Sequence, residues 1–198
     1  MNSISFNISC QKGYIQIFKN KKYTLKSGDI LQLVGRNGSG KTSLLKILAT
    51  LSNTEESEIL INGKTQNEDF LENSYYLGHL PAISPQLTVL ENLTFLLALK
   101  QNINQHSLTN ALENVGLKYY KNELCANLSA GQKRRVALAS LFVNDASLWL
   151  LDEPFTALDT QGVEMIENLI KQHCKKGGIC IFTTHQPPQL FQPKILQL

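Results

Sequence analysis

Gly35-Arg36-Asn37-Gly38-Ser39-Gly40-Lys41-Thr42 is the stretch that decides the fold. It fits G-x-x-x-x-G-K-S/T, a loop whose backbone N–H groups cradle phosphates. Glycines let the main chain wrap an anion closely, and the N-terminus of a following helix adds its positive dipole. Lys41 is placed to reach β- and γ-phosphates and Thr42 to offer its hydroxyl to Mg²⁺, with Ser43 next in the first helical turn. The flanks supply the context that the motif requires. Ile30-Leu31-Gln32-Leu33-Val34 is a short apolar run, and Ser43-Leu44-Leu45-Lys46-Ile47-Leu48 has helical spacing, giving strand, loop and helix in order.

Outward from this loop, the bulk properties restrict the class. The 198 residues allow one domain, or one with an inserted subdomain, and 42% hydrophobic with 18% charged residues is the balance of a folded globular chain. A net charge of +3 is too weak to imply nucleic-acid binding, and the clustered Lys19, Lys21, Lys22 and Lys26 and the triplet Lys133-Arg134-Arg135 read as solvated faces. Cys10, Cys125, Cys174 and Cys180 lack C-x-x-C spacing, so free thiols in a reducing compartment are expected, with no disulfide and no zinc. Residues 88–99 are interrupted by Glu91, Asn92 and Thr94, so they do not make a bilayer span, and the first six residues lack the basic and apolar regions of a signal peptide.

Before the loop, alternating runs at Ile4, Phe6 and Ile8, at residues 14–18, and at Tyr23 and Leu25 predict antiparallel strands with a turn at Ser27-Gly28-Asp29. Tyr14 is the candidate aromatic for stacking on a nucleotide base. Beyond it, residues 52–57 read as a polar loop, Glu58-Ile59-Leu60-Ile61 as a strand with a turn at Asn62-Gly63, and residues 74–78 as a strand ending at His79. Thr88-Val89-Leu90-Glu91 is a capping box opening a helix through about Lys100, residues 102–105 are a loop, and helical spacing from Leu108 to Val115 stops at Gly116. With no strand signal between Pro81 and Asn127, residues 81–127 are expected to be a helical insertion into a single α/β domain spanning 1–198.

Ser129 is an N-cap for a helix from about Gly131 to Val143, and residues 162–173 form another, stopped by Gly177-Gly178. Leu148-Trp149-Leu150-Leu151 and Ile179-Cys180-Ile181-Phe182-Thr183 are continuously apolar and read as buried parallel strands; residues 194–198 read as an edge strand. The first apolar run ends in Asp152-Glu153. Two carboxylates at a strand end beside the loop suit a nucleotide site, Asp152 holding the Mg²⁺ shell and Glu153 orienting or deprotonating the attacking water.

Leu128-Ser129-Ala130-Gly131-Gln132 completes an ordered set that resembles the ABC (ATP-binding cassette) family, whose signature reads L-S-G-G-Q. Leu151-Asp152-Glu153-Pro154 resembles the family's second nucleotide motif, Ala157-Leu158-Asp159 its D-loop, and Thr184-His185 its switch histidine. The resemblance implies an α/β P-loop core with an N-terminal antiparallel β subdomain and an inserted α-helical subdomain. It also implies ATP and Mg²⁺, with Ser129, Gly131 and Gln132 of one subunit closing over the γ-phosphate held by the loop of a second in a head-to-tail homodimer. By the same resemblance His185 contacts the γ-phosphate and water, and Asp159 communicates across the dimer.

His79 departs from the family's usual glutamine, offering an imidazole as a partial mimic of the amide beside Mg²⁺ and the attacking water. Ala130 replaces a glycine, and only Tyr14 approximates the usual stacking aromatic, which leaves ATP and GTP both open as the nucleotide. Within the family, Leu77-Gly78-His79 with Pro81, LSAGQKRRVALA at 128–139, LDEPFTALD at 151–159 and GGICIFTTHQP at 177–187 are similar to haem-exporter ATPases of cytochrome c maturation. That likeness implies integral-membrane channel partners of the B and C type, an indirect link to the haem chaperone, and no nucleic-acid partner. It further implies a peripheral position on the cytoplasmic side of a bacterial inner membrane, or the matrix side of the mitochondrial one. The alternatives are another small exporter, a non-transport ABC ATPase acting on nucleic acid or ribosomes, and a cassette that dimerises on ATP but hydrolyses it weakly.

Overall fold

Alternation in one part of the chain and unbroken apolar runs in another produce two different sheets in the computed structural model, which describes residues 1, 3–52, 54, 57–65, 73–98 and 104–198. The alternating segments pair antiparallel: β1 (Ser3–Lys12), β2 (Ile15–Lys26), β4 (Ser57–Ile61) and β5 (Lys64–Thr65) lie in the order β2-β1-β4-β5. The apolar runs form a parallel sheet of β6 (Ser74–Leu77), β7 (Leu148–Asp152), β8 (Ile179–Thr183), β3 (Ile30–Val34) and β9 (Lys194–Gln197), in the order β6-β7-β8-β3-β9. Expected and observed classes agree. The segment read as three N-terminal runs is two strands, because β2 continues through a bulge at which Asn20 adopts φ 50° and its backbone N–H donates to Ser9 Oγ at 3.0 Å. The bulge changes which face each side chain takes, so Phe18 and Leu25, of opposite parity, both enter the core.

Strands buried on both faces divide the apolar core. Leu148 and Leu150 of β7 and Ile179 and Ile181 of β8 face β1 and helix α1 (Lys41–Leu48), packing with Ile4, Phe6, Leu44 and Leu45. Trp149, Leu151, Cys180 and Phe182 point the other way, onto α4 (Ala130–Ala139) and α5 (Thr160–Lys175) through Ala137, Leu138, Ile166 and Ile170. Each such side chain contributes about 1.5–3 kcal/mol on burial. The resulting three layers place the β3–α1 loop at the carboxyl edge of the parallel sheet, where open α/β sheets bind ligands.

The described part of 81–127 is helical, with α2 (Val89–Leu96), α3 (Gln105–Asn114) and short 3₁₀ turns at Lys118–Tyr120 and Cys125–Asn127. Its own apolar cluster, including Val89, Leu93, Leu108 and Leu112, packs on Val136 and Ala139 of α4. The Thr88–Glu91 capping box is formed. Helix α2 ends at Leu96, short of Lys100; the expectations for residues 99–103, which include the first two of the 102–105 loop, and for part of the 52–57 loop fall outside the described residues. Gln105, read as loop, opens α3 behind the N-cap Asn104. Asn92, almost wholly buried, anchors the segment after His79 by accepting from Ser84 N at 2.7 Å and donating to Ser84 O at 2.9 Å. Helix α4 stops at Ala139 rather than Val143, passing into a 3₁₀ turn at Ser140–Phe142; Ser140 Oγ donates back to the Ala137 carbonyl at 2.5 Å and bonds Tyr75, which tightens the turn. Among the described residues, no helix is long and apolar enough to cross a membrane, and all four cysteines are buried and free.

Candidate nucleotide site

The carboxyl ends of β3, β6, β7 and β8 converge on a cleft of about 350 Å³. Asn37, Gly38, Gly40, Lys41, Thr42 and Ser43 form one wall, and His79, Asp152, Glu153 and His185 the other. Lys12 and Ile17, from the arms of the β1–β2 hairpin, close the rim. Gly40 has φ 95°, and a Cβ there would lie 2.7 Å from Ile17 and 2.8 Å from the Phe18 ring, so the loop needs glycine to turn this tightly against β2. Lys41 Nζ donates to the carbonyls of Gly35 at 2.9 Å and Arg36 at 3.3 Å, inside the curve of the loop.

Two strand ends and the first turn of α1 are cross-linked at the cleft floor. Thr42 Oγ1 donates to Asp152 Oδ2 at 2.8 Å, and Thr183 Oγ1 donates to Asp152 Oδ1 at 2.7 Å while accepting from Glu153 N at 2.9 Å. Glu153 adopts φ 51°, a left-handed conformation uncommon outside glycine, and its Oε1 lies 3.5 Å from His185 Nε2. The chain after His185 is pinned by the buried Glu167 carboxylate of α5, which accepts from Gln189 N at 3.1 Å and Leu190 N at 2.8 Å. Burial, with the Asp152 charge second, pushes the Tyr76 hydroxyl up to about 12, so this neighbouring phenol stays neutral. A hydroxyl and a carboxylate converging at one point are hard oxygen donors of the kind Mg²⁺ takes alongside phosphate oxygens and water, so Thr42 and Asp152 fit that ion.

Ser129, Gly131 and Gln132 lie apart from the cleft lining. Ser129 caps α4, accepting from Gln132 N at 3.2 Å while its own N–H donates to Gln132 Oε1 at 2.9 Å. The same region holds the 157–159 segment: a Cβ on Gly131 would come 3.4 Å from the Ala157 carbonyl, and Arg135 donates to Asp159 Oδ2 at 3.0 Å. Asp159 also caps α5 through Gly162 N at 2.9 Å, the main reason its carboxyl is held below the usual range. Tyr14 is not brought to the cleft: it sits fully exposed at the hairpin turn.

Two residues at the floor were not singled out by sequence reasoning. Thr183 sits within an apolar run that gives no hint of its hydroxyl's partners. Arg134, placed with its neighbours on a solvated face, is 3% exposed; burial lowers its pKa, opposed by the charges of Asp152 and Glu153. The basic triplet is thus split. Arg134 is drawn inward by four carbonyl oxygens and Arg135 is paired with Asp159, because the helix turns successive residues to different faces.

A phosphate-cradling loop on β3, two carboxylates closing β7 and histidines closing β6 and β8 define a P-loop nucleotide site. The family model described as ABC transporter matches residues 18–156, and the chain belongs to that family. Its kinship lies with the cytochrome c biogenesis ATP-binding export proteins CcmA. It is 44% identical over 181 residues to the one from Pseudomonas fluorescens (strain Pf0-1), covering 90% of this chain and 86% of that relative. It is 45% identical over 186 residues to the one from Pasteurella multocida (strain Pm70), covering 92% and 87%. Among solved structures, an ATP-binding cassette in a dimeric post-hydrolysis state bound to ADP and Pi superposes with a TM-score of 0.78 at 25% identity, covering 92% of this chain and 88% of that one. The fold is matched more closely still by a putative ABC transporter ATP-binding protein from Pyrococcus furiosus, with a TM-score of 0.84 at 24% identity, covering 99% and 97%.

Proposed function

We propose that this chain is the ATP-hydrolysing subunit of a bacterial cytochrome c biogenesis complex, working as a homodimer on the cytoplasmic face of the inner membrane. There it would power haem export, or release of the haem-loaded chaperone, through channel subunits of the B and C type. The observation that carries the reading is the Thr42–Asp152–Thr183–Glu153 linkage at the floor of the phosphate-loop cleft, where hydroxyl, carboxylates and histidines meet. The bacterial relatives named CcmA support the pathway, and they favour a bacterial over a mitochondrial setting.

In this reading the loop amides of residues 35–40 bind the β-phosphate and Lys41 swings from its carbonyl partners to the β- and γ-phosphates. Thr42 and Asp152 would hold Mg²⁺, which supplies neutralisation of charge developing on the phosphates. Glu153 accepts a proton from the attacking water or fixes its lone pair toward phosphorus, with His185 beside it and His79 on the same wall of the cleft. Ser129, Gly131 and Gln132 of the second copy present a capped helix N-terminus to the γ-phosphate, so loss of that phosphate loosens the pair. Asp159 lies beside this element and would pass the change between subunits.

Purification of the tagged chain from detergent-solubilised membranes, followed by identification of its bound subunits, tests the pathway. Cytochrome c maturation subunits are expected; recovery with a sugar or lipid permease overturns the assignment while leaving the ATPase reading intact.

A further inference from the structure

Arg134 carries no expected role in the cleft, yet its guanidinium joins two neighbouring strand ends there, those of β6 and β7. Nη1 donates to the carbonyls of Gly78 at 2.8 Å and His79 at 3.2 Å; Nη2 donates to those of Asp152 at 3.1 Å and Glu153 at 2.7 Å. The acceptors lie 55 and 56 residues before it and 18 and 19 after it, at and just past the ends of β6 and β7. A planar, permanently charged fork is suited to this geometry, since both terminal nitrogens lie in one plane at a fixed spacing. Its aliphatic stem rises from α4, five residues beyond the capping Ser129. Glu153 is then held on both sides of its left-handed backbone, its N–H by Thr183 Oγ1 at 2.9 Å and its carbonyl by Arg134 at 2.7 Å.

We propose that Arg134 is a positioning residue for hydrolysis, fixing the backbone of Glu153 and His79 at one separation and tying both to the helix headed by Ser129. This rests on the reading of Glu153 as the group that handles the attacking water. Among the described residues, the hydrogen-bond acceptors of Arg134 are these four carbonyl oxygens, and it acts through the residues it holds and not on nucleotide. Removing the fork frees the Glu153 peptide to leave its strained conformation and lets the β6 and β7 ends drift, which lowers turnover and leaves the phosphate loop intact. A lysine supplies the charge from a single nitrogen and cannot span both strand ends, so charge alone does not restore the function.

The test compares the full chain with Arg134→Lys, Arg134→Met, Glu153→Gln and the Arg134→Lys/Glu153→Gln double variant. Readouts are ATPase kcat and KM, affinity for a fluorescent ATP analogue, and Tm. The expected result for Arg134→Lys is a kcat reduced tenfold or more, with KM and analogue affinity within threefold and a folded protein at assay temperature. In the Glu153→Gln background, the same change is expected to alter the residual rate by less than twofold. A wild-type kcat in folded Arg134→Lys overturns the proposal, as does a kcat loss explained by the unfolded fraction, or an equal loss in the Glu153→Gln background. Arg134→Met separates charge from shape: kcat equal to wild type in folded protein also overturns it. If Glu153→Gln retains the wild-type rate, the reading of Glu153 falls and takes this proposal with it; if Glu153→Gln is inactive and Arg134→Lys is not, only the positioning role falls.

Discussion

His173 should make the stability of this fold pH-dependent through one side chain far from the nucleotide cleft. Its imidazole stacks on Trp149 with ring centroids 3.9 Å apart and planes 5° from parallel, and its Nε2 lies 3.3 Å from the Ile179 carbonyl. Gly178 leaves room for the ring, because a Cβ there would come within 2.2 Å of it. Burial lowers the His173 pKa from 6.5 to about 4, against the carbonyls of Ile179 and Ser147 and with Lys176 nearby. A base whose folded pKa is depressed is protonated first in the unfolded chain, so its contribution is present above pH 6.5 and is lost as pH falls from 6.5 toward 4. At pH 5 the unfolded chain holds this proton almost fully and the folded chain about one-tenth of the time, a loss of ~2 kcal/mol relative to pH 8. For a domain of this size that lowers Tm by about 4–8 °C. The assay is urea and thermal unfolding from pH 8 to 4.5 for the parent and His173→Phe, which keeps an aromatic stack and removes the proton site. The carboxylates common to both chains cancel in the difference. His173→Phe is expected to lose ~2 kcal/mol less than the parent between pH 8 and 5, and parallel pH profiles would refute the reasoning.

Gly40→Ala combines an unfavourable φ of 95° with contacts of 2.7–2.8 Å to Ile17 and Phe18. It should lower stability by about 2–4 kcal/mol and weaken ATP binding, read by denaturant unfolding and nucleotide titration. Thr183→Val keeps the shape of a fully buried side chain and removes its bonds to Asp152 and Glu153, leaving an N–H unpaired. A loss of about 2–4 kcal/mol is expected together with a fall in kcat; unfolding and ATPase assays check both. Ser129→Ala removes the N-cap of α4 for ~1 kcal/mol, and ATP-dependent self-association measured by light scattering should fall more than that stability change explains.

The phosphate loop was legible because its conformation depends on residues adjacent in sequence: glycines at 35, 38 and 40, then Lys41 and Thr42. Strands β7 and β8 were legible because burial on both faces leaves an unbroken apolar run, and the capped helices because their caps are local. The bulge at Asn20 was hidden, since its effect is a change of phase between two alternating runs that each read well alone. Thr183 and Arg134 were hidden for a different reason. Each depends on partners distant in sequence, and a basic triplet gives no sign that its middle member will turn inward to meet carbonyls at the ends of β6 and β7. Tyr14 shows the reverse error, a suitable side chain that the hairpin turn carries away from the cleft.

The most direct measurement is the MgATP hydrolysis rate of the purified full chain beside Lys41→Ala and Glu153→Gln. Turnover by the parent, no nucleotide retention by Lys41→Ala, and retained nucleotide without turnover in Glu153→Gln are predicted. Equal rates in all three proteins would contradict the account.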